Sequence, residues 1–345
     1  STAKRPLLWL GGGARHAREG AMRLVEYGVG VVTSVNGRGI IPEDHPLTLG
    51  AFNMNPDAEA FYRTCDLMLV VGSRLRSNET KNYQLALPAP LLQSDANSAA
   101  DGRSYPNSGF VCGDSAVVLS GLAGRLQGQL HIDPSFAQDL AKARKAAEVR
   151  LRTTLGPYDA LVDALQTELQ QDALWVRDVT ISNSTWGNRL LKIFAPRNGI
   201  HALGGGIGQG MPMGIGAALG VEGRKVVALC GDGGLMLNIG ELATAVQEQA
   251  DVTLLVMNDQ GYGVIRNIQD ARFGGRHYFT DLRLPDFAKL SESLSVPHWN
   301  VTSISEFGEK FREALAVNGP ALVEVNMQAI GPFKVPFAGP PVRTK

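Results

Sequence analysis

The sequence predicts an α/β protein built from two doubly wound, mainly parallel-sheet domains. Three observations carry that expectation. Short continuous apolar runs, such as LMLVV at residues 67–71 and VTLLVM at residues 252–257, alternate with amphipathic stretches, the pattern of strands buried on both faces between helices. Glycines gather where those runs end. The same alternation occurs twice, on either side of a charged, helical stretch. The first domain is expected to be Rossmann-like over residues 1–130, followed by a helical linker over 131–157. The second domain is expected over 158–345, with an irregular, proline-rich tail.

In the first block PLLWL reads as a strand, followed by Gly11–Gly13 and a helix through ARHAREGAMRLVEYG. GVVTSV is the next strand, AEAFYRT a short helix, CDLMLVVG a third strand and APLLQSDAN a fourth. DSAVVLSGLAGRLQ closes the block as a helix. The linker FAQDLAKARKAAEVRLRTT is punctuated by Gly156-Pro157. In the second block DALVDALQTEL and STWGNRLLKIF read as helices around the strand ALWVRDV, and GMPMGIGAALG as a helix of small residues. KVVALC and VTLLVM are strands joined by the helix NIGELATAVQEQ. DFAKLSESL and SEFGEKFREALAV are helices, and PALVEVNM is the last strand.

Composition bounds the function. With 44% apolar and 19% charged residues the chain is that of an ordinary globular protein. A formal net charge of zero leaves no electrostatic footprint for nucleic acid or an anionic membrane. The apolar runs are far too short to span a bilayer, and no secretory signal is visible. Three scattered cysteines, Cys65, Cys112 and Cys230, have no metal-like spacing and fit reduced thiols in a cytoplasmic protein. The chain opens without Met and enters a strand at once, which reads as the interior of a larger protein.

Two strand ends carry the chemistry. KVVALC stops at Gly231-Asp232-Gly233-Gly234, and VTLLVM stops at Asn258-Asp259. Ligands collect outside the carboxyl ends of parallel strands. If these strands are neighbours, two carboxylates face one point, and either a cation lies between them or one takes a proton. A hard divalent ion with oxygen ligands fits. Glycine amides beside a helix start, expected at or shortly before Asn238, suit a phosphate. Taken alone, each motif reads as a turn; their conjunction, behind GGGIGQGMPMGIGAALG, points to a magnesium-diphosphate ligand.

Those residues resemble a known family. GDGG…MNDQGYG resembles the diphosphate- and magnesium-binding motif of thiamine-diphosphate enzymes, and GGGIGQGMPMGIGAALG is similar to the segment before it in acetolactate synthase, benzoylformate decarboxylase and pyruvate oxidase relatives. GRGIIPEDHPLTLGAF and VCGDSAVVLSGL resemble parts of the central domain of the same group. The resemblance runs from about Pro6 to Gln328. It implies Asp232 and Asp259 as metal ligands, with the backbone carbonyl of Gly261 as a third. Many relatives have Asn where Asp259 stands. Gly231, Gly233 and Gly234 would meet the diphosphate, together with Ser182 and Asn183 from an upstream loop, and Tyr262, in the loop after Asp259, would be a further cofactor-site residue that opens the segment lining the substrate side. Ile207 would be the bulky residue that props the cofactor in its bent shape, and the carbonyl of Gly205 would accept from its amino group. Read alone, Ile207 is an ordinary core residue.

The resemblance further implies thiamine diphosphate and Mg²⁺ as cofactors and a 2-oxo acid as substrate, with decarboxylation or carboligation as the reaction. The alternative is a non-catalytic nucleotide- or cofactor-binding regulatory module. Relatives have a further pyrimidine-binding domain whose glutamate activates the cofactor. No counterpart is visible here, so no catalytic residue is assigned, and the chain alone is expected to be inactive. The missing domain would come from a longer protein or a separate chain, and a homo-oligomer, dimer or tetramer, is the other partner expected. An apolar face around Met211–Leu219 is expected to be exposed in its absence. Some relatives carry FAD in the central domain. WLGGGARHAREG imitates a dinucleotide loop, but TSVNGRG follows the next strand with no acid to hold a ribose, so FAD is possible without being supported. His201 and His277 fall near the inferred site and are read as structural.

Overall fold

A computed structural model describes residues 2–339; the end of the expected irregular tail, residues 340–345, lies outside the described residues. The chain divides into two compact units. One runs to Arg150 and takes in Lys192–Arg197, and the other comprises Leu151–Leu191 and Asn198–Gly339. Both sheets are entirely parallel.

The first unit holds β1 (Pro6–Leu10), α1 (Arg18–Glu26), β2 (Gly30–Thr33), α2 (Pro56–Tyr62), β3 (Leu67–Val71), β4 (Leu91–Asp95), β5 (Gly109–Cys112), α3 (Ser115–Leu126) and α4 (Phe136–Arg152). Strand order is β2-β1-β3-β4-β5. Along β1, Leu7 and Trp9 join one core cluster while Leu8 and Leu10 join another. That two-sided burial is why the strand reads as an unbroken apolar run. The edge strand β5 escaped sequence reading because one side is open: Val111 is 53% exposed. The helix expected directly after Gly11–Gly13 begins only at Arg18, after a single 3₁₀ turn at Gly12–Ala14. The stretch read as a linker forms α4, and its Phe136 and Leu140 are buried in the first unit's core. Arg5 holds its start through Asp133 at 3.1 Å and Asp139 at 2.8 Å.

The glycine turn after β1 is engaged with β3 and its following turn. Gly11 donates to Val71, Gly13 to the carbonyl of Gly72, and Ala14 back to Gly11. Gly72, with φ +61°, has no room for a side chain, since a Cβ there would lie 2.6 Å from the amide of Ala14. These amides serve the fold itself at the place where a dinucleotide loop would present them to phosphate.

The second unit holds α5 (Tyr158–Glu168), β6 (Leu174–Arg177), β7 (Gly199–His201), α6 (Gly210–Leu219), β8 (Val226–Gly231), α7 (Asp232–Leu237), α8 (Glu241–Gln247), β9 (Val252–Asn258), α9 (Gly263–Phe273), α10 (Phe287–Ser293), β10 (His298–Val301), α11 (Ile304–Leu315), β11 (Ala321–Asn326) and α12 (Met327–Ile330). Strand order is β10-β11-β9-β8-β6-β7. From β6 the chain runs out to one edge through β7, and from β8 it builds toward the other. A crevice therefore opens between the ends of β6 and β8, where ligands collect in open parallel sheets.

Four expectations differ from this unit. The helix expected over STWGNRLLKIF is one wide turn, Asn183–Gly187; the side chain of Arg189 donates to the carbonyls of Ser184 and Thr185 and closes it. The helix after Gly-Asp-Gly starts at Asp232 itself, with Gly231 as its cap, and a second begins at Glu241. Met211 and Ile215, expected on an exposed face, are buried in the core, and of the large apolar side chains there Leu219 at the helix end is exposed. Gly214 allows that packing, because a Cβ there would come within 2.8 Å of the Ala228 Cβ. The strands β7 and β10 are short and half-buried, and had no clear apolar run to reveal them.

Candidate functional site

The loops after β6, β8 and β9 converge on one cavity of about 240 Å³. Thr180, Ile181 and Ser184 come from the first loop, Gly231, Asp232, Gly233 and Gly234 from the second, and Asp259, Gly261 and Tyr262 from the third. Gly205 and Ile207, in the glycine loop before α6, line it as well. The structure thus brings together Gly205, Ile207, Gly231, Asp232, Gly233, Gly234, Asp259, Gly261 and Tyr262. Ile207 is 38% exposed, which rules out the plain core reading.

Ser182 and Asn183, expected at the diphosphate from an upstream loop, do not line this cavity. Both are fully buried in the turn after β6, and Asn183 lies against His201 instead. Thr180, Ile181 and Ser184 line the wall in their place. One-residue spacing in an irregular turn decides which side chain faces out, and periodicity does not reach such a turn. His201 and His277 are also absent from the lining; His277 bonds Asp270 at 2.6 Å on the surface.

β8 and β9 are paired in register to Gly231 and Met257, so Asp232 and Asp259 emerge side by side. Asp232 is 1% exposed. Burial and then the neighbouring Asp259 charge push its carboxyl up to about 7. Asp259 is raised too, first by burial. Two carboxylates this close, Asp232 buried and Asp259 half-buried, share a proton or a cation. The turn between them is fixed: the Gly261 amide donates to Asp232 at 2.8 Å, and the Asn258 side chain accepts from the Gln260 amide at 3.0 Å. Gln260 sits at φ +58°, a left-handed position that this side-chain bond stabilises. Residues 279–282 clip the turn from outside, with Tyr262 donating to Thr280 and Leu282 to Gln260.

The glycines are needed for close approach. A Cβ on Gly233 would lie 2.6 Å from the Tyr262 ring, and one on Gly234 2.7 Å from the Asp178 carboxylate. Tyr262 therefore packs over the first turn of α7. Asp178 was missed in the sequence, although it obeys the same strand-end rule as Asp232. Its carboxylate accepts from Val179 and Gly208, each at 2.8 Å, and anchors the glycine loop to the end of β6. Burial raises its pKa. A second cavity, about 200 Å³, lies against the other flank of Asp259 and includes Arg266, Gln328 and Phe333. Gln328 donates to the Asp259 carbonyl at 3.1 Å.

The oxygens lining the cavity are two carboxylates, the hydroxyls of Thr180, Ser184 and Tyr262, and the backbone. Among the described residues no three His, Cys, Asp or Glu side chains cluster as a metal site. A donor set of two hard oxygens beside glycine amides fits a magnesium ion that takes its remaining ligands from a diphosphate and water.

Comparison with known proteins decides the family. Residues 180–325 match the C-terminal TPP binding domain of thiamine pyrophosphate enzymes, and residues 1–122 match the central domain of the same enzymes. The chain belongs to the thiamine pyrophosphate enzyme family. Its relatives in that family include the probable 2-ketoarginine decarboxylase of Pseudomonas aeruginosa, 30% identical over 94% of this chain and 58% of that protein. The probable acetolactate synthase large subunit of Methanocaldococcus jannaschii is 27% identical over 94% of this chain and 57% of its own length. A putative thiamine pyrophosphate-containing protein of Bacillus subtilis is 28% identical, again over 94% and 57%. The chain therefore spans less than two thirds of these thiamine pyrophosphate enzymes. Among the described residues no helix is long and apolar enough to cross a membrane.

Proposed function

We propose that this chain holds the diphosphate end of thiamine diphosphate through a magnesium ion, and serves an enzyme that decarboxylates or ligates a 2-oxo acid. The observation that carries the reading is the Asp232–Asp259 pair, brought together at the ends of β8 and β9 in one cavity with Gly233, Gly234 and Ile207. Asp232, Asp259 and the Gly261 carbonyl would hold the metal. The Gly233 and Gly234 amides, in the first turn of α7, would meet the diphosphate. Ile207 would support the bend between the two rings, and Gly205 would accept from the amino group. When bound, thiamine diphosphate supplies an electron sink for cleavage of the bond beside a carbonyl. The apolar part of the lining, with Ile181, Ile207, Met257, Val264 and Ile265, would face the reacting end.

Asp232 and Asp259 are the only acids among the described residues lining this cavity. Both are committed to the metal in this reading. The carboxylate that activates the aminopyrimidine is then supplied by another polypeptide segment, whether in a longer form of this protein, in a second subunit or across a homo-oligomer. The acetolactate synthase and 2-ketoarginine decarboxylase relatives support a 2-oxo acid as the substrate class. Calorimetric titration of the chain with thiamine diphosphate tests the reading. Binding is expected with Mg²⁺ and lost when the metal is chelated; equal affinity with and without Mg²⁺ contradicts it.

A further inference from the structure

β11 is an apolar run with one charged residue inside it. In ALVEVN, Glu324 sits in the interior of the sheet between β10 and β9 and is 9% exposed. A buried carboxylate is costly unless its oxygens are satisfied. Both are. Oε1 accepts from the Asn258 amide nitrogen at 2.7 Å, and Oε2 accepts from His298 Nε2 at 3.0 Å. The register explains the contacts. Glu324 is opposite Asn300 on β10 and Val256 on β9, so His298 and Asn258, each two residues away along its strand, lie on the same sheet face. Burial raises the Glu324 carboxyl, but the bonds from His298 and Asn258 outweigh it and hold the group below its ordinary value, against the opposing charge of Asp286.

The chain of bonds does not stop at Asn258. With its nitrogen given to Glu324, the Asn258 side chain has its oxygen turned to the Gln260 amide at 3.0 Å. That bond closes the left-handed turn whose other members are Asp259 and Gly261. Asn258 has two rotamer-equivalent ways to place its oxygen and nitrogen, and the carboxylate, an acceptor only, selects one.

We propose that Glu324 is a positioning residue for the metal turn: through Asn258 it fixes the 258–261 backbone so that Asp259 and the Gly261 carbonyl face Asp232. The inference rests on the metal reading of Asp232 and Asp259 and adds to it a residue that touches neither metal nor cofactor. Groups that orient metal ligands from behind influence affinity about 10–100-fold when removed.

The test uses Mn²⁺ in place of Mg²⁺, with thiamine diphosphate present, and reads free Mn²⁺ by electron paramagnetic resonance. Glu324→Leu should weaken Mn²⁺ binding by about 10–100-fold. Glu324→Gln, which keeps an acceptor for Asn258, should stay within about threefold of the parent. Val325→Ala, a cavity on the same strand, is the control: it should lower the melting temperature without weakening Mn²⁺. A second readout needs no metal. Deuterium exchange of the Gln260 amide should speed up in Glu324→Leu and not in Val325→Ala. If Glu324→Leu does not fold, Glu324→Ala is read in its place against the same expectations. Unchanged Mn²⁺ binding and Gln260 exchange in the folded variant overturns the inference, as does equal weakening by Val325→Ala, which would make the role merely structural. A parent chain that binds no Mn²⁺ fails differently: it removes the metal reading, and the inference with it.

Discussion

The Gly261 amide donates to the Asp232 carboxylate across 2.8 Å, tying the turn after β9 to the end of β8. The Asp232 carboxyl also meets the Gly233 amide and the side chain of Asp259, which lies beside it. The two carboxylates therefore face one point at the ends of neighbouring strands.

Asp259→Ala should abolish Mg²⁺-dependent binding of thiamine diphosphate, while Asp259→Asn should keep most of it. An amide oxygen can occupy the same place as the carboxylate oxygen, and a methyl group cannot. Calorimetry on both variants decides: an Asn variant as weak as the Ala variant means that Asp259 is not a ligand.

The metal-free chain should lose stability as pH rises toward and past 7. The Asp232 carboxyl is raised to about 7 by burial and by Asp259. The folded state therefore binds a proton that the unfolded chain has released. That contribution is fully present below the ordinary carboxylate value and fades as pH climbs through about 7. Melting temperatures between pH 5 and 8 should fall with pH for the parent without metal. The fall should be smaller in Asp259→Asn, which removes the second charge, and smaller again with Mg²⁺ and thiamine diphosphate. A flat profile for the metal-free parent contradicts the charge pairing.

Gly234→Ala and Gly216→Ala should act in opposite directions. A Cβ at Gly234 lies 2.7 Å from the Asp178 carboxylate, so the substitution should disturb the anchor of the glycine loop and weaken thiamine diphosphate binding. A Cβ at Gly216, inside α6, meets nothing within 4 Å. That change should leave binding alone and stabilise the fold by about 0.5–1 kcal/mol. Thermal melts paired with the binding titration read both effects.

The isolated chain should show little turnover of 2-oxo acids and no acceleration of hydrogen exchange at the thiazolium carbon of bound cofactor. Among the described residues no carboxylate besides Asp232 and Asp259 lines the cavity, and general acid–base help is worth about 10²–10⁴-fold in rate. Proton NMR of that exchange at neutral pH is the check. Exchange far faster than in free cofactor would show an activating group within this chain.

Much of this was legible in the sequence because buried parallel strands write themselves plainly. β8 and β9 are continuous apolar runs, and each ends at an acid, so Asp232 and Asp259 stood out without any structure. What stayed hidden was carried by irregular backbone or by single polar residues inside apolar runs. In the turn after β6 nothing in the spacing tells that Ser184 faces the cavity while Ser182 and Asn183 face inward. Asp178 follows the strand-end rule, yet its carboxylate is turned onto the amide of Gly208. Glu324 interrupts an apolar strand, but its partners His298 and Asn258 come from two other strands and depend on sheet order. β5, β7 and β10 lacked the two-sided burial that makes a strand visible.

The central claim is that Asp232 and Asp259 hold a divalent ion that also binds the diphosphate. Phosphorus-31 electron–nuclear double resonance on the Mn²⁺-loaded chain with thiamine diphosphate measures that bridge directly. The account predicts a strong phosphorus coupling in the parent, present in Asp259→Asn and absent in Asp232→Ala and Asp259→Ala. Bound Mn²⁺ without phosphorus coupling, or a coupling that survives both alanine substitutions, would contradict it.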